Sequence, residues 1–231
     1  MSHNILITGA SGYLGGTLLA RWERAKLPPY QTLYALVRTK EQGEAVKKYG
    51  AKPISFDIKK EASIRTAIIE NEITVVYFLV DAMTPVSQIP MIKALEEVKK
   101  KTGKDVHFLH TSGAKIFSNH AGLPTDRPIL DNDPELYGLQ KTSVAKYGPV
   151  QMALAQRNVI QTDKVDLADD PAQEGMGKAL GCPKDMVPLF LGGKCTLKAQ
   201  HGHEIGWISQ YPPEHILDVA DAEVDLILKH I

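Results

Sequence analysis

Short apolar runs alternate with longer amphipathic segments over the first 110 residues of the chain. The runs are rich in β-branched residues and predict strands at 4–8, 31–37, 52–56, 73–80 and 105–110. The segments between them predict helices at 13–26, 40–49, 61–71 and 88–102. Strands that alternate with helices form βαβ units with right-handed crossovers. We therefore predict an α/β fold with a doubly wound parallel sheet of about five strands in the order 3-2-1-4-5.

The pattern changes after residue 110. Residues 111–134 are rich in Gly, Pro, Ser, Asn and Asp, which predicts a long irregular loop. A helix is predicted from Glu135 onward, with Asp133 as its N-cap and Pro134 at its first helical position. Beyond it we predict a mostly helical C-terminal tail, with helical stretches at 171–180, 184–191 and 213–230 around a Gly-rich polar turn at 192–206.

Composition and charge exclude several classes of partner. The 231 residues include 27 Lys and Arg and 27 Asp and Glu, so the formal net charge is zero and no global field attracts nucleic acid or an anionic membrane. The longest apolar run, 73–80, is too short to cross a bilayer, and the early first strand predicts that no secretory signal is present. Cys182 and Cys195 have no metal-like or CxxC spacing. We expect a soluble cytoplasmic protein.

Three glycines follow the first predicted strand at three-residue spacing, in the stretch TGASGYLG. A glycine permits the tight turn, a second lets the main chain approach a pyrophosphate, and a third lets helix and strand pack closely. The helix that follows points N–H groups and a partial positive charge at the phosphates. The alternative is a purely structural turn. We predict that the turn binds a nucleotide through Gly9, Ala10, Ser11, Gly12, Tyr13, Leu14 and Gly15.

With these residues the chain resembles the short-chain dehydrogenase/reductase superfamily, and its extended or atypical branch in particular, from residue 4 to residue 150. The resemblance implies a Rossmann-type domain that binds NAD(P) at 1–152, and a remnant of a substrate-binding region at 153–231. It also implies an oxidoreductase or an epimerase/dehydratase-like enzyme that acts on a carbonyl or hydroxyl group of a small-molecule substrate. A homodimer is a further expectation, because a tyrosine-bearing helix often builds the dimer interface in this superfamily.

Charges after the second and third strands bear on the choice of cofactor. An acidic residue at the end of the second strand would favour NAD, but this chain has Arg38, with Lys40 close by. A cation there pairs with a 2′-phosphate, so we predict NADP(H) as the preferred cofactor, with NAD(H) possible. Asp57 matches the acidic residue that contacts adenine in the superfamily, and the predicted cofactor site also includes Ile58. The alternatives are a surface arginine and a helix-capping aspartate.

Tyr137 and Lys141 form a YxxxK pair on one helical face. The resemblance implies that Tyr137 acts as general acid or base and that Lys141 binds the nicotinamide ribose. In the superfamily a Ser or Thr also holds the substrate oxygen. The corresponding position in this chain is Gly113, so we predict that Ser112 takes this role, with Thr111 as the second choice. The alternatives are a chance pair on an exposed helix and ordinary loop hydroxyls.

No β-branched run that could form a sixth strand follows the YxxxK helix, in which Pro149 should produce a kink or a break. The tail, with Gly206-Trp207 before the last predicted helix, is similar to the end of fungal epimerase/dehydratase-like proteins. We therefore predict that an internal segment is missing near 150–156, which would open the nicotinamide end of the site to water. The alternative function is a non-catalytic NADP(H)-binding protein, either redox-sensing or truncated.

Two polar clusters resemble metal sites only in part. The run HGHE at 201–204 lacks a third ligand at suitable spacing. The acidic stretch 163–170 lacks the glycine and the terminal glutamate of a calcium-binding loop. We predict solvated segments and no metal at either place.

Overall fold

The computed structural model describes residues 2–81, 85–111, 113–146, 170–187, 194–212 and 214–229. It divides into two compact units, Met1–Gly113 and Ala114–Ile231. The domain boundary predicted after residue 152 and the predicted missing segment lie outside the described residues, as does the kink expected at Pro149.

The first unit contains every strand and helix that the periodicity predicts, in the predicted order. Its strands are β1 (Asn4–Ile7), β2 (Thr32–Leu36), β3 (Lys52–Ile54), β4 (Val75–Phe78) and β5 (His107–His110). Its helices are α1 (Tyr13–Arg21), α2 (Lys40–Lys47), α3 (Glu61–Glu70) and α4 (Gln88–Thr102). All strand pairs are parallel and the sheet order is β3-β2-β1-β4-β5, so the predicted fold class is confirmed.

Alternation along the strands places helices on both faces of this sheet. On β1, Ile5 and Ile7 belong to a cluster of buried side chains with Leu19 of α1. Leu6 points to the opposite face, where its cluster includes Ile64 of α3 and Met91 of α4. Both faces of β1 are covered, and the strand lies in the centre of the sheet with three apolar residues after Asn4.

Two differences from prediction concern the ends of elements. The strands are shorter than the apolar runs, because residues at one or both ends of each run belong to the adjoining loops. Helix α1 ends at Arg21 and a 3₁₀ turn, Glu23–Ala25, replaces its predicted last turn. Trp22 between them is buried against the sheet.

The second unit begins in the segment that was predicted to be an irregular loop. It contains the 3₁₀ turns Ala114–Phe117 and Asn119–Ala121, and a short strand, β6 (Ile129–Leu130). Helix α5 (Leu136–Lys146) begins three residues after Asp133, the predicted N-cap, whose carboxylate accepts a hydrogen bond from Glu135 N–H at 2.9 Å. The loop is thus more ordered than the sequence predicts.

The described residues of the tail, 170–187, 194–212 and 214–229, are mostly helical. Its elements are α6 (Asp170–Leu180), a 3₁₀ turn (Lys184–Met186), β7 (Leu197–Lys198), α7 (Gln200–Glu204) and α8 (His215–Leu228). Strand β7 pairs in parallel with β6, a long-range contact that the sequence analysis did not predict. None of the helices in the described ranges is long and apolar enough to cross a membrane.

Candidate functional site

A cleft opens at the carboxyl ends of the strands in the first unit. The chain passes from β1 outward to β2 and β3 and then returns to β4 on the other side of β1. Ligands of doubly wound sheets bind at such a reversal of strand order. The cleft has a volume of about 840 Å³, and pockets of ~300–1,000 Å³ commonly hold small ligands or cofactors.

The glycine turn between β1 and α1 forms one wall of the cleft. Gly9 has a φ of +63°, a conformation that favours glycine, and Gly12 N–H donates to Gly9 O at 2.9 Å. Gly12 is the N-cap residue of α1 and carries no capping side chain. The first N–H groups of a helix have no carbonyl partner within the helix, so α1 presents donors at this wall.

Gly15 brings the helix against the turn. A Cβ at this position would lie 2.3 Å from Gly9 O and 2.8 Å from Ala10 Cα, so only glycine fits. At Gly12 a Cβ would meet only Gly9 O, at 3.3 Å, and the residue is exposed on the cleft wall. The turn therefore fits a pyrophosphate group: its backbone is accessible and its helix start is close. Binding by these residues stays a prediction.

The end of strand β4 lies directly beside the glycine turn. The buried Thr8 hydroxyl accepts from Leu79 N–H at 3.0 Å and donates to Tyr77 O at 3.3 Å. A Cβ at Gly9 would lie 3.0 Å from Leu79 O, so the turn packs directly on the end of β4. Leu79 and Val80 line the cleft as a result.

Arg38, which was predicted to pair with a 2′-phosphate, lines the cleft. It follows β2 and is exposed, and its N–H donates to Gln42 Oε1 at 2.8 Å. No ion pair in the described part of the chain involves its guanidinium, which leaves this cation available to an anionic ligand. Lys40, the other predicted cation, lines a neighbouring groove of about 370 Å³ rather than the cleft.

Asp57 and Ile58 also line the cleft, after β3. Asp57 Oδ1 accepts from Lys59 N–H at 2.9 Å, and Oδ2 lies 3.6 Å from Lys60 Nζ. The N-cap residue of α3 is Lys60, so Asp57 stabilises the turn before the helix and does not cap it.

The cleft includes six residues that the sequence analysis did not name: Leu36, Gln42, Phe56, Lys59, Leu79 and Val80. Most of them flank the carboxyl end of a predicted strand, a position that could have identified them, since these ends converge at one edge of a parallel sheet. Ala10, which was predicted to bind the cofactor, is buried in the core and is absent from the residues that line the cleft.

The predicted catalytic residues belong to other parts of the chain. Tyr137 and Lys141 lie on α5, in the second unit, and Tyr137 exposes 73% of its surface. Leu136 and Leu139 pack this helix against a small cluster of buried side chains, which are Ala121, Leu123 and Ile129. The YxxxK pair therefore lies on another face of the helix. Thr111 N–H donates to Phe78 O at 3.2 Å after β5, whereas Ser112 lies outside the described residues. The catalytic roles stay predictions.

The polar run at 201–204 forms helix α7. The Asp131 carboxylate accepts from Gln200 N–H and His201 N–H at its start, and His201 Nδ1 lies 3.0 Å from Glu204 Oε2. Among the described residues there is no group of three or more His, Cys, Asp or Glu that could hold a metal ion.

Residues 5–154 match the model of the NAD dependent epimerase/dehydratase family. This match covers more than half of the chain, and the chain belongs to that family. A search of curated proteins found no match.

Several solved structures are similar to part of the chain. The leucoanthocyanidin reductase–NADPH complex from Vitis vinifera is 24% identical, with 62% of this chain and 42% of that chain covered and a TM-score of 0.36. A UDP-glucose-4-epimerase from Stenotrophomonas maltophila with bound NAD is 15% identical, with 70% and 50% covered and a TM-score of 0.39. The NADPH-dependent quinone oxidoreductase QOR2 from Escherichia coli is 20% identical, with 45% and 34% covered and a TM-score of 0.31. The chain thus spans half or less of the length of these proteins.

Proposed function

We propose that the chain is an NADP(H)-dependent oxidoreductase or epimerase/dehydratase-like enzyme that acts on a carbonyl or hydroxyl group of a small-molecule substrate. The observation that carries this proposal is the cleft of the first unit, where the glycine turn, Arg38 and Asp57 line one space. Membership of an NAD dependent family supports a nicotinamide cofactor. The guanidinium of Arg38, which forms no ion pair in the described part of the chain, supports NADP(H) over NAD(H), because it can form a charge-assisted bond with a 2′-phosphate.

In this proposal each residue has a separate task. The N–H groups at the start of α1 and the turn from Gly9 to Gly15 bind the pyrophosphate. Arg38 pairs with the 2′-phosphate, while Asp57 and Ile58 contact the adenosine end. The bound nicotinamide supplies or accepts the hydride.

Proton transfer is assigned to the second unit and to the segment after β5. Tyr137 donates or removes the proton at the substrate oxygen, and Lys141 one helical turn away orients the ribose. Ser112, with Thr111 as the alternative, holds the substrate oxygen by a hydrogen bond.

The resemblance of the motifs supports finer assignments. In this proposal the chain belongs to the extended or atypical branch of the short-chain dehydrogenase/reductase superfamily, its tail is of a fungal type, and an internal segment is missing after the YxxxK helix. In the same proposal the protein acts in the cytoplasm as a homodimer built on that helix, and it binds neither nucleic acid nor membranes.

A specific observation favours a second function, that of a non-catalytic NADP(H)-binding protein. Tyr137 exposes 73% of its surface, and a proton-transfer site normally excludes water. Gly113 moreover occupies the position where the superfamily has its hydroxyl residue. A redox-sensing or truncated protein would keep the glycine turn and Arg38 without needing the catalytic pair.

Titration of NADPH and NADH into wild type, Arg38→Ala and Tyr137→Phe separates the two functions. Nicotinamide fluorescence reports binding, and a panel of carbonyl substrates reports turnover. We expect Arg38→Ala to weaken NADPH binding about tenfold or more without affecting NADH, since hydrogen bonds to charged groups contribute ~1.5–3 kcal/mol. Tyr137→Phe should retain binding and lose turnover.

The possible results are distinct. Tight binding of NADPH without turnover in the wild type would support the non-catalytic function over the enzyme. Tighter binding of NADH than of NADPH would contradict the role of Arg38. Equal turnover by wild type and Tyr137→Phe would remove the tyrosine from the mechanism.

A further inference from the structure

Gln42 connects the turn after β2 with the cleft. Its amide oxygen accepts from Arg38 N–H at 2.8 Å and from Thr39 N–H at 3.4 Å, while Thr39 Oγ1 accepts from Gln42 N–H at 3.2 Å. The reciprocal bonds between Thr39 and Gln42 form a capping box at the start of α2. Gln42 also lines the cleft together with Arg38, so one side chain holds the helix start and contributes to the candidate site.

The two ends of the Gln42 amide are used differently. The oxygen has two acceptor sites, and the N–H groups of Arg38 and Thr39 use both. The nitrogen carries two donors, and no hydrogen bond in the described part of the chain involves them. The side chain can therefore offer a ligand hydrogen-bond donors and no acceptor.

The carboxylate that lines the described part of the cleft already has partners in its own turn. Among the described residues that line the cleft, Asp57 is the only carboxylate. Its Oδ1 accepts from Lys59 N–H at 2.9 Å, and its Oδ2 lies 3.6 Å from the Lys60 ammonium. Near Gln42 and Arg38 the cleft thus offers amide and guanidinium donors, while its one described carboxylate is partly engaged within its own turn.

This imbalance distinguishes two kinds of ribose. A 2′-hydroxyl both donates and accepts, and its proton would find no free acceptor on Gln42. A 2′-phosphate is an anion that accepts strongly from a guanidinium and an amide. Specificity is the difference between the two binding free energies, and occupied acceptors lower the affinity for the hydroxyl form.

We propose that Gln42 is a specificity-determining residue for a nucleotide with a phosphate on its adenosine ribose. Its oxygen fixes the backbone of Arg38 beside the cleft, and its nitrogen donates to that phosphate. This inference rests on the proposed function, because it places such a nucleotide in the cleft.

Gln42→Glu tests the role of the nitrogen. A glutamate keeps an oxygen for the N–H groups of Arg38 and Thr39 and preserves the capping box, but it replaces the donor by a second carboxylate oxygen. NADPH and NADH differ only in the 2′-phosphate, so their dissociation constants are measured for each variant by nicotinamide fluorescence. We expect the NADPH affinity to fall about tenfold or more, because the donor is lost and a carboxylate charge faces the 2′-phosphate. The NADH affinity should stay the same or rise, because the second oxygen can accept from the 2′-hydroxyl.

Thr39→Ala is the matched control for helix capping. Thr39 forms the other half of the capping box but does not line the cleft. This variant should lower stability and leave the ratio of NADPH to NADH affinity unchanged. Gln42→Leu lacks both donor and acceptor, so it should lower stability and also reduce the preference for NADPH over NADH. It replaces Gln42→Glu in the comparison if the glutamate variant does not fold.

The results separate this inference from the proposed function. A preference for NADPH that Arg38→Ala abolishes and Gln42→Glu retains would overturn the role of Gln42 and leave the proposed function standing. An equal shift of the ratio in Thr39→Ala would also overturn it, because capping alone would then explain the effect. A wild type that binds neither nucleotide would overturn both.

Discussion

The close contact at Gly15 can be tested with two neighbouring glycines of α1. A Cβ at Gly15 would lie 2.3 Å from Gly9 O and 2.7 Å from Gly9 C, far inside the ~3.5–4.0 Å of favourable contact. The neighbouring atoms belong to the backbone and cannot rotate away, so α1 would have to shift relative to the turn. At Gly16 a Cβ would meet only Ala10 O, at 3.7 Å, which is an ordinary contact.

The magnitudes follow from this geometry. Overpacking costs ~1–3 kcal/mol, and alanine regains up to about 1 kcal/mol of helix propensity over glycine. We therefore expect Gly15→Ala to lower the free energy of unfolding by about 1–2 kcal/mol, and Gly16→Ala to raise it by about 0.5–1 kcal/mol. With a urea m-value of about 2 kcal/mol/M, the two midpoints should differ by roughly 1 M.

Urea unfolding followed by tryptophan fluorescence provides the assay. Trp22 lies directly after α1 and is 4% exposed, whereas Trp207, in the second unit, is 54% exposed. In a Trp207→Phe background the signal reports on Trp22 alone, since the chain has two tryptophans. Equal midpoints for Gly15→Ala and Gly16→Ala would refute the packing argument, as would NADPH binding by Gly15→Ala at wild-type affinity.

Two further predictions concern the sheet edge and the surface. Thr8→Val should lower the free energy of unfolding by about 1–3 kcal/mol, because it removes the partner of Leu79 N–H. Hydrogen exchange at Leu79 should accelerate in Thr8→Val and not in Thr8→Ser; equal rates would contradict the bond. Hydrogen bonds from Arg65 lower the pKa of Glu97 below its ordinary value, so the pair's contribution to stability is full above about pH 5 and is lost as pH falls through the lowered pKa. The stability difference between wild type and Glu97→Gln, measured by urea unfolding from pH 7 to pH 3, should therefore shrink on acidification, and a constant difference would refute this.

Local sequence patterns were sufficient for the elements of the first unit. Apolar runs and amphipathic segments specify strands and helices through neighbours a few residues apart, and the right-handed crossover then limits the sheet order. The glycine turn was also predicted from a local pattern, since the positions of its glycines indicate where the backbone bends and where α1 packs closely on β1. The second unit was harder, because its short strands β6 and β7 pair across a sequence separation of 68 residues, from Ile129 to Leu197.

The residues of the candidate site also differ in whether the sequence could predict them. Gly9, Gly12, Arg38 and Asp57 were predicted as cofactor-binding residues because each follows a strand and carries a recognisable chemical role. Gln42 was not predicted, because its spacing of three residues after Thr39 marks the start of a helix and does not by itself indicate a ligand contact. Its inclusion depends on where the β2–α2 turn directs its side chain.

The sequence by itself determined the elements, their order in the sheet and the position of the glycine turn, because these depend on periodicity and on local backbone conformation. Only the tertiary structure decided which side chains share the cleft and which of their polar atoms are already used. It showed that Asp57 serves its own turn and that Gln42 fixes Arg38, contacts within single turns whose distances depend on the backbone and side-chain conformations of the folded chain. A pattern of residue types does not contain those distances, since hydrogen bonds depend on positions within a few tenths of an ångström.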